Sequence, residues 1–200
     1  MRLSLPLLAA LLLPACTQAV PVSGSTPTDP LVTQPCVHLP VGPPDGEGYR
    51  VAQGFTENNH LGEDWNGVGG GNTDKGDPVY AMADGTVTFA DEGGPGWGPV
   101  VTVAHRFAEA DGVRGYESLY AHLDRIDVTV GQPIGRGQQL GTIGDAHGRY
   151  VSHLHLEVRD VVGLPIGPGY RRDTSGYIDP RQWAARHRDG CGKRPHLAPD

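Results

Sequence analysis

Polar and apolar residues alternate strictly along the segment 153–158, which reads His-Leu-His-Leu-Glu-Val. This period of two is typical of a β-strand with one face packed in a core and the other face open. The open face aligns three titratable side chains, those of His153, His155 and Glu157, about 6.5 to 7 Å apart. Two histidines on one strand face indicate either a polar surface or a metal or catalytic site.

Other short segments also have strand character. Asp84-Gly85 separates the apolar segments 77–83 and 86–90, and this dipeptide favours a type I′ turn, so we predict a β-hairpin here. Further strands are predicted at 100–105, 117–123 and 126–130, and His105, at the end of the first of these, is expected to be a solvated or edge residue. No internal repeat of fixed period is present.

One short helix is predicted near the C-terminus. Asp179 is a good N-cap, and Pro180 suits the first turn of a helix that continues to about Ala185. The 30 glycines and 18 prolines make up 24% of the 200 residues, against about 12% in average usage. The sequence therefore predicts an all-β fold of mainly antiparallel sheets with a short C-terminal helix.

The charge balance of the chain argues against a nucleic-acid partner. The chain has 16 basic and 23 acidic residues, a formal net charge of −7. It therefore lacks the basic surface that nucleic-acid binding requires, and no nucleic-acid partner is predicted.

The N-terminus has the character of an export signal. Arg2 precedes an apolar run at 3–13, which is long enough for a signal peptide and too short for a membrane span. The run ends in Leu13-Pro14-Ala15-Cys16, which resembles a bacterial lipobox, although Pro14 is atypical there. We predict a signal peptide at 1–15 and an exported lipoprotein of the cell envelope or periplasm, whose only membrane contact is a lipid on Cys16. Simple secretion is the alternative.

Composition predicts the domain boundaries of the rest of the chain, and the cysteines predict a disulfide. Residues 16–46 are rich in Pro, Ser and Thr and predict a tether, followed by a domain at 47–182 and a tail at 183–200. A lipidated Cys16 leaves Cys36 and Cys191 as a pair in an oxidising compartment, so we predict a disulfide between them. It would stabilise the fold by about 4 to 5 kcal/mol in the chain-entropy model.

Two further motifs carry possible ligands. His60 and Asp64 lie four residues apart, and both residue types bind zinc. Tyr120 and His122 share one face of the predicted strand 117–123 if its alternation is regular. Each motif alone is weak evidence.

Taken together and in this order, the motifs resemble the lysostaphin-type (LytM-like) zinc metallopeptidases that cut peptidoglycan cross-bridges. The matching pieces are His60-x-Gly-x-Asp64, Gly76-x-Pro-Val-x-Ala with Asp84-Gly85-x-Val, Tyr120-Ala-His122-Leu, Gly131-Gln with Gly137-Gln-x-x-Gly141, His153-Leu-His155-Leu-Glu157-Val, and Asp179-Pro180. The resemblance extends over about residues 54–180.

The resemblance implies a role for each matching position. His60, Asp64 and His155 would be the ligands of a Zn²⁺ ion, and His122 and His153 would be catalytic histidines that flank the metal. It also implies antiparallel sheets, in a barrel-sandwich hybrid arrangement, that line a groove with the metal at its floor. By the same analogy the loops 67–76 and 91–99 would form two walls of the groove.

Three other residues are candidates for supporting roles. Glu157 shares a strand face with His155 and is expected either to orient that imidazole by accepting its second N–H or to pair with an arginine such as Arg159. Tyr120 is expected either to line the groove or to pack in the core. His147 lies in a loop shortly before the histidine-rich strand and is a candidate for substrate contact.

The resemblance implies a zinc-dependent metallo-endopeptidase that hydrolyses peptide cross-links of bacterial peptidoglycan. One alternative is a non-enzymatic LytM-like regulator that activates cell-wall amidases, and another is a zinc peptidase acting on another protein. The complete set of five histidine and aspartate positions favours the enzyme. The cleaved bond is open: it could lie in a glycine bridge or in a D-amino-acid cross-link to diaminopimelate.

Overall fold

The computed structural model describes residues 32–188 and Cys191. The predicted signal peptide, Cys16 and the first half of the predicted tether lie outside the described residues. Within the described part, no helix is long and apolar enough to cross a membrane.

Twelve β-strands and one α-helix form the regular structure of the described residues, together with a π-helical turn at Gly42–Gly46 and a 3-10 turn at Glu57–Asn59. The strands are β1 Val32–Thr33, β2 Tyr49–Gln53, β3 Glu63–Gly67, β4 Pro78–Tyr80, β5 Gly85–Glu92, β6 Pro99–Glu109, β7 Gly112–Ala121, β8 Leu123–Ile126, β9 Pro133–Ile134, β10 Gln139–Ile143, β11 Leu154–Arg159 and β12 Tyr177–Ile178. The helix α1 is Pro180–His187. The predicted all-β class with a short C-terminal helix is confirmed.

The strands form two sheets. The larger sheet has the order β2-β3-β11-β7-β6-β5-β9, with β1 added beside β6 and β12 beside β11. The smaller sheet has the order β4-β10-β8. All of these pairs are antiparallel except that of β1 with β6. The histidine-rich strand β11 is therefore central, between β3 and β7.

The main core lies on one face of the large sheet. Leu154, Leu156 and Val158 of β11 are fully buried there, as their alternation predicts. Side chains of the small sheet, such as Val79 and Leu140, belong to the same core. The opposite face of β11 is thus left for the polar side chains.

The C-terminal helix closes this core. The Asp179 side chain accepts a hydrogen bond from the Gln182 backbone N–H (2.9 Å), as expected of the N-cap. Trp183 is fully buried, and its ring stacks on Phe107 with centroids 5.7 Å apart. The helix continues to His187, so the packed structure extends beyond the boundary predicted at residue 182.

The predicted hairpin at Asp84-Gly85 is wrong. β4 pairs with β10 in the small sheet, whereas β5 pairs with β6 and β9 in the large sheet. Ala81, Met82 and Ala83, which connect the two sheets, are buried in the core. Short apolar segments around a turn dipeptide do not determine which partner strand each segment takes.

The segment 32–46, predicted to be part of a tether, packs against the domain. Val37 and Val41 are buried, and the Tyr80 N–H donates to the Pro40 carbonyl (2.8 Å). The predicted disulfide joins Cys36 to Cys191, whose Cα atoms are 4.7 Å apart. Ordered structure therefore begins before the boundary predicted at residue 47.

Candidate metal centre

Strand register places two of the predicted ligands side by side. His155 of β11 lies directly opposite Asp64 of β3 on one side and opposite Ala121 of β7 on the other. Directly opposed residues of an antiparallel pair project to the same face of the sheet. The imidazole of His155 and the carboxylate of Asp64 therefore meet on the face opposite the main core.

An irregular segment brings His60 to the same place. Thr56, Asn58 and Asn59 have positive φ angles of 66°, 52° and 67°, which reverse the chain tightly before His60. A Cβ on Gly62 would overlap the Leu156 carbonyl oxygen. Glycine is thus required at the centre of His60-x-Gly-x-Asp64 because the segment lies directly against β11.

The three predicted ligands converge. His60 Nε2 lies 3.0 Å from His155 Nδ1, and His155 Nδ1 lies 3.0 Å from Asp64 Oδ1. His60 Nε2 is 3.4 Å from the same Asp64 oxygen. Donor atoms in a tetrahedral zinc site with bonds of 2.0 to 2.1 Å are about 3.3 Å apart. Two imidazole nitrogens and one carboxylate oxygen at this spacing fit a divalent cation, and zinc in particular.

A second cluster of ligand-type residues does not offer such a site. Cys36, His38 and Cys191 lie close together, but the two sulfurs are joined in the disulfide. Only the imidazole of His38 remains as a donor.

A chain of buried, charged side chains contacts His155 on the side of the ring that faces away from the other candidate ligands. His155 Nε2 is 3.3 Å from Glu157 Oε1, and the other oxygen of Glu157 accepts a hydrogen bond from Arg159 Nη2 at 2.7 Å. Arg159 Nη1 donates to Glu117 Oε1 at 3.1 Å. All four side chains are buried. Glu157 therefore contacts the candidate ligand His155 and pairs with Arg159 at the same time.

The electrostatics of this cluster favour positive charge at its centre. Burial alone lowers the pKa of His155, but hydrogen bonds and charge interactions with Asp64 and Glu157 outweigh burial and raise it to about 9. Burial disfavours ionised Asp64, yet the imidazoles of His155 and His60 hold the pKa of its carboxyl well below its usual range. The same carboxylates would stabilise a bound cation.

The predicted alternation of Tyr120 and His122 is wrong. Strand β7 ends at Ala121, and His122 has a positive φ of 62°, which turns its side chain to the candidate site. Tyr120 remains on the core face, fully buried, where its hydroxyl accepts a hydrogen bond from the Met82 N–H (2.9 Å). Tyr120 is thus a packed core residue and does not line the groove.

His122 and His153 flank the three convergent residues. Their rings lie 4.7 Å apart, and the ring of His122 is 5.5 Å from that of His155. His153 Nε2 is 3.7 Å from Asp64 Oδ1. All five predicted site residues are therefore brought together.

Backbone carbonyls determine how the two flanking imidazoles are protonated. His122 Nδ1 lies 3.0 Å from the Trp97 carbonyl oxygen, and His153 Nδ1 lies 2.7 Å from the Val151 carbonyl oxygen. A carbonyl only accepts, so Nδ1 carries the proton in both neutral rings and Nε2 is left as an acceptor. Burial, followed by the nearby imidazoles of His155 and His153, lowers the pKa of His122 to about 3.

The cluster lies in a cleft of about 390 Å³. Its lining residues come from six separate parts of the chain: Gln53, Asp64, Pro95, Gly96, Trp97, His122, Arg149, Tyr150, His153, His155, Pro168, Gly169 and Tyr170. The predicted wall 91–99 contributes three of them. The predicted wall 67–76 contributes none of the lining residues, and the segments 149–150 and 168–170 take part in its place.

Two tyrosines of the cleft were not expected from the sequence. The ring of Tyr170 stacks on His60 with centroids 4.9 Å apart, and its hydroxyl donates to Gln53 Oε1 (3.0 Å). The ring of Tyr150 lies 5.0 Å from that of His122. Both tyrosines occur in irregular segments without a recognisable motif, so no sequence signal identified them.

His147 lies apart from the cluster. Its side chain is 68% exposed and its Nε2 is 2.9 Å from Glu92 Oε2. It lines a recess beside the cleft and not the cleft itself.

The family of the chain follows from its sequence as a whole. Residues 59–168 match the sequence profile of peptidase family M23, which is more than half of the chain. The chain belongs to peptidase family M23. The predicted resemblance to lysostaphin-type peptidases is thereby confirmed, and all five clustered residues of this M23 chain lie within the matched range.

Three relatives of this M23 chain have different names and functions. It is 38% identical over 85 residues to the cell division protein DipM of Caulobacter vibrioides, a match that covers 42% of this chain and 13% of DipM. It is 36% identical over 94 residues to the DD-carboxypeptidase/endopeptidase Mpg of Neisseria meningitidis, covering 47% of this chain and 20% of Mpg. It is 33% identical over 85 residues to the murein hydrolase activator NlpD of Escherichia coli, covering 42% of this chain and 20% of NlpD. The chain spans a fifth or less of the length of these relatives.

A solved structure has the same fold as this M23 chain. The antimicrobial peptidase lysostaphin from Staphylococcus simulans superposes with a TM-score of 0.51 at 21% identity, over 76% of this chain and 55% of lysostaphin. This likeness supports the lysostaphin-type β fold.

Proposed function

We propose that the chain is a zinc-dependent metallo-endopeptidase that hydrolyses peptide cross-links of bacterial peptidoglycan. The observation that carries this proposal is the convergence of His60, Asp64 and His155 in an open cleft, with His122 and His153 beside them. The endopeptidase name of the relative Mpg and the murein function in the name of NlpD support peptidoglycan as the substrate.

His60, Asp64 and His155 would hold the zinc ion. Zinc in such a site acts as a Lewis acid and makes water acidic enough to supply a nucleophile near neutral pH. Glu157 keeps the ring of His155 in position because it accepts from the nitrogen that faces away from the other ligands.

His122 and His153 are suited to the proton transfers. Each has Nδ1–H fixed on a carbonyl and Nε2 available as an acceptor. One imidazole can take the proton of the attacking water at Nε2 as the bond from oxygen to the peptide carbon forms. When the C–N bond breaks, the protonated imidazole or its neighbour returns a proton to the leaving amine, so that the site is restored.

The principal alternative is a regulator without peptidase activity. The relative NlpD is named as a murein hydrolase activator, and this supports a regulatory role for a related domain. The complete donor set of this chain favours the enzyme, because a regulator has no chemical need for three convergent ligands and two flanking imidazoles. A zinc peptidase acting on another protein is the second alternative.

The proposal is tested with the purified exported chain and isolated sacculi. We expect zinc-loaded protein to release new peptide amino termini, chelator-treated protein to release none, and added zinc to restore the reaction. His155→Ala, loaded in the same way, is the matched inactive control. No release by the zinc-loaded chain, combined with stimulation of a cell-wall amidase, would establish the regulator instead.

We also propose that the chain is exported and held at the cell envelope by a lipid on Cys16. The apolar run 3–13 and the lipobox-like end of that run support this. Cells grown with radioactive fatty acid should label the wild-type protein and not Cys16→Ser. An unlabelled wild-type protein in the culture medium would show simple secretion.

A further inference from the structure

Arg149 projects from an ordered turn at the edge of the cleft. The backbone N–H groups of Arg149 and Tyr150 donate to the Asp145 carbonyl at 2.9 and 3.1 Å, and the Gly148 N–H donates to the Asp145 side chain at 2.7 Å. Asp145 is itself paired with Lys75 at 2.6 Å. The position of Arg149 on the cleft wall is therefore fixed by its backbone.

The guanidinium of Arg149 has no carboxylate partner within the described residues. Four described arginines lack a hydrogen-bond or ion-pair partner for their side chains, namely Arg50, Arg149, Arg172 and Arg186. Of these four, Arg149 alone lines the cleft. Glu92, which lies with it on the adjoining recess, is already hydrogen-bonded to His147.

The permanently charged side chains that line the cleft balance each other, although the chain as a whole is acidic. Asp64 is the one carboxylate among the lining residues, and Arg149 is the one side chain with a permanent positive charge. With a dication on the proposed ligands, the cleft attracts anions against a net charge of −7 for the whole chain.

The ring of Tyr150 lies between the Arg149 guanidinium and the ring of His122. Its Cζ is 5.9 Å from the centroid of the Tyr150 ring, and that ring is 5.0 Å from the ring of His122. A Cβ on Gly96, in the opposite wall, would lie 3.8 Å from Arg149 Nε. An extended peptide advances about 3.3 to 3.6 Å per residue, so Arg149 is within reach of a group one to three residues from the scissile amide.

We propose that Arg149 binds a free carboxylate of the substrate close to the scissile amide. The preferred cross-link then contains a residue with such a carboxylate, as diaminopimelate does, and not a bridge of glycines alone. This inference rests on the proposed peptidase function and names the substrate class of that site.

The chemistry of the guanidinium supports this choice. Arginine presents paired N–H donors that match the two oxygens of a carboxylate. The Tyr150 ring beside it restricts the side chain and adds a cation–π contact. A hydrogen-bonded charge pair of this kind discriminates a carboxylate from its amide by about 10- to 100-fold in binding.

The experiment compares two synthetic cross-linked peptides that differ only in a free carboxylate or a carboxamide beside the scissile bond. The zinc-loaded wild type should show a kcat/KM about 10- to 100-fold higher for the carboxylate peptide. Arg149→Gln should reduce this ratio to about 1, and Arg149→Lys should retain part of it. Arg50→Gln, which removes an exposed and unpaired arginine outside the cleft, should retain the wild-type ratio.

A binding measurement distinguishes failure of this inference from failure of the proposed peptidase function. The same two peptides are titrated calorimetrically against zinc-loaded His122→Ala and against His122→Ala with Arg149→Gln. Preference for the carboxylate peptide that depends on Arg149 supports the inference even if the wild type cleaves neither peptide, in which case only the peptidase proposal fails. Equal affinity for both peptides, or a preference that survives Arg149→Gln, overturns the inference.

Discussion

Two buried histidines on opposite faces of the large sheet have opposite environments. His105 of β6 lies on the core face, with Nδ1 2.9 Å from the Asp84 carbonyl and Nε2 2.8 Å from Ser118 Oγ. His155 of β11 lies on the other face, with Nδ1 facing Asp64 and His60 and Nε2 facing Glu157. Both imidazoles are almost fully buried.

The pKa values of the two histidines differ because their partners differ. Burial lowers the pKa of His105 to about 4 and outweighs the hydrogen bond to the Asp84 backbone and the charge of Asp84, both of which act to raise it. Burial acts in the same direction on His155, but its two carboxylate neighbours raise the pKa to about 9. Burial alone therefore does not distinguish a structural histidine from a candidate ligand, whereas the charge of its hydrogen-bond partners does.

Removal of the His155 side chain should have the largest effect on activity. His155→Ala removes one of three proposed ligands, so we expect zinc binding to be lost and peptide release to fall by on the order of 10⁴-fold or more. Zinc content of the purified protein and release from sacculi are the measurements. Circular dichroism should remain that of the wild type, because the core face of β11 is unchanged. Retention of stoichiometric zinc would contradict the proposed ligand set.

Removal of either flanking imidazole should lower activity less than removal of a proposed ligand. His122→Ala or His153→Ala should lower kcat by about 10²- to 10⁴-fold, the range for loss of an acid or base group. Zinc content should stay near one per chain in both variants, because neither side chain is a proposed ligand. A variant that loses its zinc would instead identify that histidine as a ligand.

The histidine-rich strand could be predicted from the sequence because its alternation is regular over six residues. His153, His155 and Glu157 carry the polar face, and the packed face lies in the core as expected. The same rule failed at Tyr120 and His122, because the positive φ of His122 interrupts the alternation. A left-handed residue other than glycine leaves no signature in the sequence.

Long-range contacts account for most of what remained unpredicted. Nothing local indicates that Tyr170 would stack on His60, or that Glu117 would hold Arg159. The sequence predicts a solvated or edge position for His105 because this residue ends a predicted strand, but β6 continues to Glu109 and His105 is buried. Such positions depend on which strands pair, and the local sequence does not determine strand pairing.

Neutralising Glu157 should reduce zinc affinity and peptidase activity without abolishing either. Glu157→Gln keeps the size of the side chain but removes the charge that faces His155 Nε2. We expect zinc affinity and activity to fall about 10- to 100-fold, as for other groups that orient a metal ligand through a hydrogen bond. Competition with a chromophoric zinc chelator measures the affinity directly. Unchanged zinc affinity would show that Glu157 serves only as the partner of Arg159.

Substitution of His105 should have the smallest effect on activity and a clear effect on stability. Its folded-state pKa of about 4 lies below the ordinary value of 6.5, so the unfolded chain binds more protons between these values. The neutral ring thus contributes stability that is fully present above about pH 6.5 and is lost as the pH falls towards 4.

His105→Gln removes this titration and leaves the cleft untouched. Urea unfolding between pH 4 and 7.5 should show a shallower loss of stability on acidification than in the wild type, by up to about 3 kcal/mol. At pH 7 the variant should be about 1 to 3 kcal/mol less stable, since buried Ser118 loses the imidazole as a hydrogen-bond partner. Peptide release by the folded, zinc-loaded variant should stay within about twofold of the wild type. An equal pH dependence in both proteins would show that burial does not hold His105 neutral, and the contrast with His155 would then rest on the geometry of the two sites alone.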